Sequence, residues 1–278
     1  MFIFKSKREL QEHLAAFVNI KTIGFTPTMG ALHEGHLHLI EQSNLKCDIS
    51  ICSIFVNPTQ FNNSTDLANY PNTLITDLER LEKVKCNIVY TPDADDLYDK
   101  GEGAKSYDFG TLSNSLEGKF RPGHFNGMAT IIEKLLNIIN PKIAFFGQKD
   151  LQQLYIVKEL VKQMKSATCI IGVETVREKN GLAKSSRNKL LSENAKEEAS
   201  LIYNCLEYCK KNKGDGITTL KLHIQKQFSK HEKITLEYAE FVAIKTMLPI
   251  NSWGNKNENA VCISAYHSGV RLIDNIIL

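Results

Sequence analysis

The sequence lacks most of what would build a secreted, membrane-bound or nucleic-acid-coating protein. It has seven cysteines, an odd number, and no C-x-x-C pair, so no disulfide framework is written into it. Cys47, Cys52, Cys86, Cys169, Cys205, Cys209 and Cys262 mostly sit inside apolar runs and read as reduced core thiols. No stretch reaches the roughly 18 consecutive apolar residues of a membrane-crossing helix. Lys5, Lys7 and Arg8 come before any apolar run of signal-peptide length, so the expected location is the cytoplasm, with no membrane partner. An excess of one charge is missing too: 34 Lys and Arg stand against 31 Asp and Glu, a formal charge of +3. Without a basic stripe, nucleic acid is not an expected partner, while a small anion held by a few local cations remains open. Repeats and low-complexity tracts are also absent.

What is present is ordinary globular composition, 278 residues with 42% hydrophobic and 23% charged. The length allows one large domain or two unequal ones. Short β-branched runs at 22–26, 49–55, 87–90, 143–146 and 168–173 alternate with helical patterns at about 35–45, 73–85, 128–139 and 150–165. That alternation predicts an α/β fold, a parallel sheet flanked by helices. Leu151, Leu154, Val157, Leu160 and Val161 form one helical stripe, and Pro141 stops the helix before it, because proline lacks the amide proton of an interior turn. Beyond residue 173 the pattern changes. A long helix from about 192 to 211, a Gly-Asp-Gly break at 214–216 and a helix to about 228 precede strand patterns at 235–244, 260–265 and 270–277. The expected organisation is a first domain at 1–175 and a smaller α+β domain at 176–278 carrying an antiparallel sheet.

Four polar segments carry the chemistry. In the first, a strand runs through Thr26-Pro27-Thr28 into Met29-Gly30-Ala31-Leu32-His33-Glu34-Gly35-His36 and a helix. Such a turn is expected to present free backbone amides at the positive end of a helix dipole, suited to phosphate. His33 and His36, three apart, can face the same oxygens. The bland alternative is that they merely cap a helix. A zinc site from His33, His36 and His38 is weaker still, because an i, i+2 pair points to different sides of a helix. In the second segment, Asn57 and Gln60 follow a strand, at the end of the sheet where open α/β folds bind ligands. In the third, Gly147-Gln148-Lys149-Asp150, with Gln152 and Gln153, repeats that arrangement. Lys149 can reach a phosphate, and Asp150 can cap a helix or bind a ligand hydroxyl. The fourth, Arg177 to Asn188, places Lys184, Ser185, Ser186 and Arg187 at the proposed domain junction, where guanidinium can read phosphate in a bidentate manner.

In order, PTMGALHEGH at 27–36, SIFVNPTQF at 53–61, the run from Glu117 to Phe125, GQKD at 147–150, GLAKSSRN at 181–188 and RLIDN at 271–275 resemble the pantothenate synthetase family. These are the pantoate–β-alanine ligases of the nucleotidyltransferase superfamily, with HIGH-type and KMSKS-type motifs. The resemblance spans nearly the whole chain and implies a Rossmann-like first domain. It implies a carbon–nitrogen ligase, AMP-forming, that condenses (R)-pantoate with β-alanine through a pantoyl adenylate, releasing pyrophosphate and then AMP. ATP is then a co-substrate, with Mg²⁺ held mainly through its phosphates and no protein ligand assigned. By the same resemblance Met29 to His36, Gly147 to Asp150, Val176, Lys184, Ser185, Ser186 and Arg187 bind ATP. His36 is the proton donor, His33 its phosphate-contacting companion, and Lys149, Ser185, Ser186 and Arg187 the catalytic clamp. Gln60 contacts pantoate and β-alanine, Gln153 contacts pantoate, Asn57 supports them, and the assembly is a homodimer acting as a cytoplasmic enzyme. Gln148 stands where the family most often has Glu, and Lys184 where it usually has an apolar residue. Two competing readings are a nucleotidyltransferase that keeps the nucleotide in its product and a catalytically silent ATP-binding regulator.

Overall fold

The structure, a computed structural model, describes residues 1–18, 20–61, 67–68, 70–255 and 258–278. These form two compact units. The first comprises Met1–Phe109, Arg121–Gln148 and Ile156–Glu174, and the second Gly110–Phe120, Lys149–Tyr155 and Thr175–Leu278.

The first unit is built on a six-stranded parallel sheet: β1 (Phe2–Phe4), β2 (Ile23–Thr28), β3 (Ile49–Ile54), β4 (Ile88–Tyr90), β5 (Ile143–Gly147) and β6 (Cys169–Val173), in the order β1-β4-β3-β2-β5-β6. Leaving β2, the chain builds outward through β3 and β4, then returns to the other side of β2 for β5. The carboxyl ends of β2 and β5 therefore flank the topological switch point, the crevice where such sheets bind ligands. Pairing between these two strands covers only Gly24 with Ile143 and Phe25 with Ala144. Pro27, which has no amide proton, comes two residues later, and only β3 continues to pair along the rest of β2. The helices are α1 (Lys7–Ala15), α2 (Glu34–Lys46), α3 (Leu74–Lys83), the short α4 (Ala94–Leu97), α6 (His124–Ile139) and part of α7 (Leu151–Gln163); α5 (Leu116–Phe120) belongs to the second unit. The expected strands and helices of this unit match closely at their ends, while α1, α4 and α5 are not among the elements that the sequence pattern predicts, and two further differences stand out. The three residues of β1 are too few to show a period. Helix α6 starts four residues before its apolar stripe, because His124, Phe125 and Gly127 are also buried. It ends where Asn140 turns left-handed, at φ +47°, immediately before Pro141.

In the second unit an antiparallel sheet, β7 (Ile234–Ala243), β8 (Asn259–His267) and β9 (Val270–Ile277), packs against α9 (Leu201–Lys211) and α10 (Ile217–Phe228). Ile202, Cys205 and Leu206 share one core with Leu220 and Ile224 of α10 and Phe241, Val261 and Ile263 of the sheet. The single long helix expected over 192–211 is two: α8 (Glu193–Ala199) ends at Ser200, whose hydroxyl donates to the Glu197 carbonyl at 2.6 Å. A serine that satisfies a carbonyl locally competes with the helical ladder, and one helix gives way to the next there. All seven cysteines are free. Cys169 is exposed on β6 and Cys47 is half-buried, so only the other five are core thiols. No helix is long and apolar enough to cross a membrane among the described residues.

Candidate active site

At the carboxyl end of β2 the chain makes two consecutive left-handed residues, Gly30 at φ +80° and Ala31 at φ +49°. The second is costly for a residue with a Cβ and persists only where its surroundings hold it. Asp77 of α3 supplies that hold. Its buried carboxylate accepts from the Ala31 and Leu32 amides, each at 2.8 Å, and from the Thr73 hydroxyl at 3.1 Å. The Gly30 amide donates to Thr28 Oγ1. An Arg80 guanidinium nitrogen donates to the Leu32 carbonyl.

The turn therefore keeps for itself amides that the sequence pattern offers to phosphate. His33 is the N-cap of α2: its Nδ1 accepts from the Gly35 amide at 3.1 Å, while Nδ1 of His36 accepts from the His33 amide at 3.3 Å. The rings lie 4.0 Å apart by centroid. The capping and functional readings are thus compatible. A nitrogen that accepts from an N–H carries no proton, so each ring is a neutral imidazole whose proton sits on Nε2. His38 pairs with Glu41 on α2 at 3.3 Å, and among the described residues no three His, Cys, Asp or Glu gather as a metal site.

Beyond β3, Asn57 and Gln60 are buried at either end of a short 3₁₀ turn, 1% and 9% exposed, deep enough that every polar atom needs a partner. Asn57 Nδ2 donates to Gln60 Oε1 at 3.3 Å and to the Gly127 carbonyl at 3.1 Å, and Asn57 Oδ1 accepts from the Tyr98 and Thr59 hydroxyls at 2.8 and 3.1 Å. Asn57 is thereby spent on the protein, which makes it a support for Gln60. The Gln60 amide nitrogen lies against Met29 Sδ. The Gln60 carbonyl accepts from Nδ1 of buried His124, whose Nε2 lies 3.1 Å from an Arg121 guanidinium nitrogen. Tyr98, His124, Gly127 and Asp77 carry no local signal that marks them as site residues in the sequence. His124 and Arg121 stand within one matching run, yet nothing local ties them to Gln60, more than 60 positions away.

The second unit gathers the other candidates. Lys149, Ser185, Arg187 and Asn188 line a small cleft together with Arg271 and Asp274. Lys149 Nζ is 3.2 Å from Asp150 Oδ1, and Ser185 Oγ accepts from the Arg187 amide at 3.3 Å. Ser186 is buried, Val176 half-buried, and Lys184 pairs with Glu178 at 2.7 Å. Strand β9 braces this region. Arg177 donates to both Asp274 oxygens, at 2.5 and 3.1 Å, and Asn275 Nδ2 donates to the Lys149 carbonyl at 2.7 Å. Arg271 is shared by Glu117 and Glu237, with its closest approaches 2.6 Å to each, and the Tyr238 hydroxyl adds a bond of 2.8 Å to Glu117. The two glutamines of α7 differ. Gln152 is buried and bonded to the Leu112 and Ser115 carbonyls and the Glu117 amide, whereas no protein hydrogen bond engages the half-buried Gln153 amide among the described residues. Gly147 and Gln148, half-buried, belong to the first unit, where β5 ends.

With this geometry in hand, comparison with known proteins is specific. A family model described as pantoate-beta-alanine ligase matches residues 2–277. The pantothenate synthetase of Flavobacterium psychrophilum is 41% identical over 281 residues, covering 100% of both chains, and that of Methylococcus capsulatus is 41% identical, covering 100% of this chain and 98% of its own. Among solved structures, pantothenate synthetase from Thermus thermophilus superposes with a TM-score of 0.93 at 31% identity, covering 100% and 99% of the two chains. A pantoate-beta-alanine ligase from Francisella tularensis, complexed with beta-gamma ATP and beta-alanine, gives 0.83 at 35% identity over 100% and 97%. Sequence motifs, sheet order and these matches agree along the full length, and the chain belongs to the pantoate–β-alanine ligase family.

Proposed function

We propose that this chain joins (R)-pantoate to β-alanine in the cytoplasm, in two steps driven by ATP. In the first, the pantoate carboxylate attacks the α-phosphorus of ATP, an acyl–phosphate bond forms and pyrophosphate leaves. In the second, the β-alanine amine attacks the acyl carbon, loses a proton, and AMP departs with the bonding electrons. A free carboxylate is a poor acyl donor because its leaving group would be oxide, and the mixed anhydride replaces oxide by AMP. No covalent enzyme adduct is needed, in keeping with five buried thiols.

The observation that carries this reading is the pair of committed Nδ1 atoms on His33 and His36, which puts the proton of each neutral ring on Nε2 at the end of β2. Donors aimed at phosphate oxygens that gain charge favour the transition state over the ground state. In this reading His36 donates a hydrogen bond from Nε2 as a neutral imidazole, with His33 beside it. Met29 to Gly35, Gly147, Gln148, Asp150, Val176 and Lys184 contact the nucleotide, and Lys149, Ser185, Ser186 and Arg187 hold the triphosphate. Gln60 and Gln153 hold pantoate. Gln60 also meets β-alanine, and Asn57 supports it. Residues 1–175 carry nucleotide and pantoate binding, and 176–278 act as a lid. Mg²⁺ held through the phosphate oxygens would neutralise charge on the leaving pyrophosphate. A homodimer is the proposed assembly, checked by light scattering.

The test is pantoate-dependent exchange of labelled pyrophosphate into ATP, before any amine is added. Exchange is expected, followed by AMP release only when β-alanine is supplied. No exchange would leave the silent regulator, and nucleotide retained in the final product would make the chain a nucleotidyltransferase.

A further inference from the structure

The polarity of an amide side chain decides whether it meets an oxygen or an ammonium, and in the first unit that polarity has a fixed origin. The Gly127 carbonyl can only accept, so the Asn57 atom 3.1 Å away is its NH₂. The opposite face of Asn57 is then its oxygen, where the Tyr98 and Thr59 hydroxyls converge. The second N–H of Asn57 reaches the Gln60 side chain, so the atom there is Oε1. Gln60 is left with Nε2, an NH₂ with two protons that lies against Met29 Sδ, as the end not held by Asn57. Each assignment forces the next. Burial raises the Tyr98 hydroxyl above its ordinary value, against the lowering by its Thr59 and Asn57 bonds, so it remains a proton donor throughout the neutral range.

The backbone of Gln60 is fixed as well. His124 Nδ1 donates to its carbonyl, and Arg121, an obligate donor, faces the other ring nitrogen, so His124 is neutral with one tautomer. A Cβ at Gly127 would lie 2.1 Å from the Thr59 carbonyl oxygen and 2.7 Å from Gln60 Cα, so α6 approaches this turn as closely as a glycine allows.

We propose that Tyr98 is a positioning residue for the acid substrate: through Asn57 it locks Gln60 as an N–H donor, which receives a carboxylate or hydroxyl oxygen and turns away an ammonium. This deepens the ligase reading and rests on it. Gln60 accordingly meets oxygens of pantoate, and it meets β-alanine through the carboxylate and not the amine. The amine is thereby left with its lone pair free for attack once deprotonated.

The experiment uses the full-length protein and combines the exchange assay with NMR of side-chain amides. Tyr98→Phe is expected to raise the KM for pantoate by about fivefold, the effect of one lost hydrogen bond, with the KM for ATP unchanged. Placed on Gln60→Ala, the same substitution should add less than about twofold, because Tyr98 acts through Gln60. Asn57→Asp offers Gln60 Oε1 no donor and should turn the amide over, raising the pantoate KM by more than about tenfold. In the ligand-free protein the Gln60 amide protons should be rigid in the wild type and mobile in Tyr98→Phe. Equal changes in both KM values, multiplicative effects of the two substitutions, or an amide equally mobile in wild type and variant would overturn the proposal. Absence of exchange in the wild type would instead remove the ligase reading, while the amide measurement still decides whether the lock exists.

Discussion

The two units hold their buried polar groups by different chemistry. In the parallel-sheet unit most side chains around the ends of β2 and β3 are uncharged, two imidazoles with Nδ1 committed, two amides, a phenol and a threonine, joined by Arg80 on the Leu32 carbonyl and Arg121 on His124. The buried carboxylate there, Asp77, is met by two main-chain amides and a hydroxyl. In the second unit ion pairs take this part, Arg177 on Asp274 and Arg271 between Glu117 and Glu237 in the interior, with Lys184 on Glu178 and Lys149 beside Asp150 nearer the surface. The contrast suits the proposed function, in which a carboxylate that attacks phosphorus would lose nucleophilicity if paired with a full cation, whereas a triphosphate needs cations, and cations need carboxylates to hold them in place.

Removing one ion from the charged unit gives the largest expected effect. Arg177→Ala leaves Asp274 buried and unpaired and should lower stability by about 3–5 kcal/mol in urea denaturation at neutral pH. Burial pushes the Asp274 carboxyl above its ordinary value, and Arg177 opposes that push. Without Arg177 the carboxyl rises further. A raised carboxylate stabilises least where it must be ionised, so the deficit should shrink as pH falls from neutral toward the usual carboxylate range. A deficit independent of pH would contradict the assignment.

In the parallel-sheet unit the counterpart is Asp77→Ala. It strands the Ala31 and Leu32 amides and should lower stability by about 2–4 kcal/mol, with pantoate-dependent exchange falling at least about tenfold as the histidine turn loosens. Gly127→Ala is expected to cost about 1–3 kcal/mol by overpacking against Thr59 and Gln60, and to raise the pantoate KM more than the ATP KM. Gln60→Arg tests the contrast directly: with a full cation beside the acid, pantoate should bind but exchange should slow by more than about tenfold. Exchange at the wild-type rate with tight pantoate binding would show that neutrality is not required. The smallest effect belongs to Lys184→Met, which should raise the ATP KM by less than about tenfold, because Lys184 is already paired with Glu178. A larger loss would place Lys184 among the groups that hold the nucleotide.

Legibility in the sequence follows range along the chain. The parallel sheet, the antiparallel sheet and most helices are local patterns, and the α/β class with its C-terminal α+β region can be read directly. So can the segment at 27–36, because strand, glycine turn and histidines are contiguous. The use of its amides cannot be read, since Asp77 lies 46 positions from Ala31 and looks like any acidic residue on an amphipathic helix. Asn57 likewise reads as a ligand contact until Tyr98 and Gly127, 41 and 70 positions away, are seen to consume its hydrogen bonds. The break at Ser200 leaves no mark in the pattern, because a serine within a helix can as well point to solvent as bond back to a carbonyl. RLIDN at 271–275 is visible only as a matching segment, and its purpose, bracing Arg177 and the Lys149 carbonyl, belongs to the folded sheet.

The Gly127 carbonyl gives the parallel-sheet unit an uncommon exposure to genetic change. Every amino acid supplies that oxygen, so no substitution at 127 deletes the acceptor itself. Bulk alone can dislodge it, and any side chain there strikes Thr59 first. The mutational weakness of this corner is therefore one of space, and variants that regain function should be sought among trimmed neighbours around residue 127 instead of among replacement acceptors.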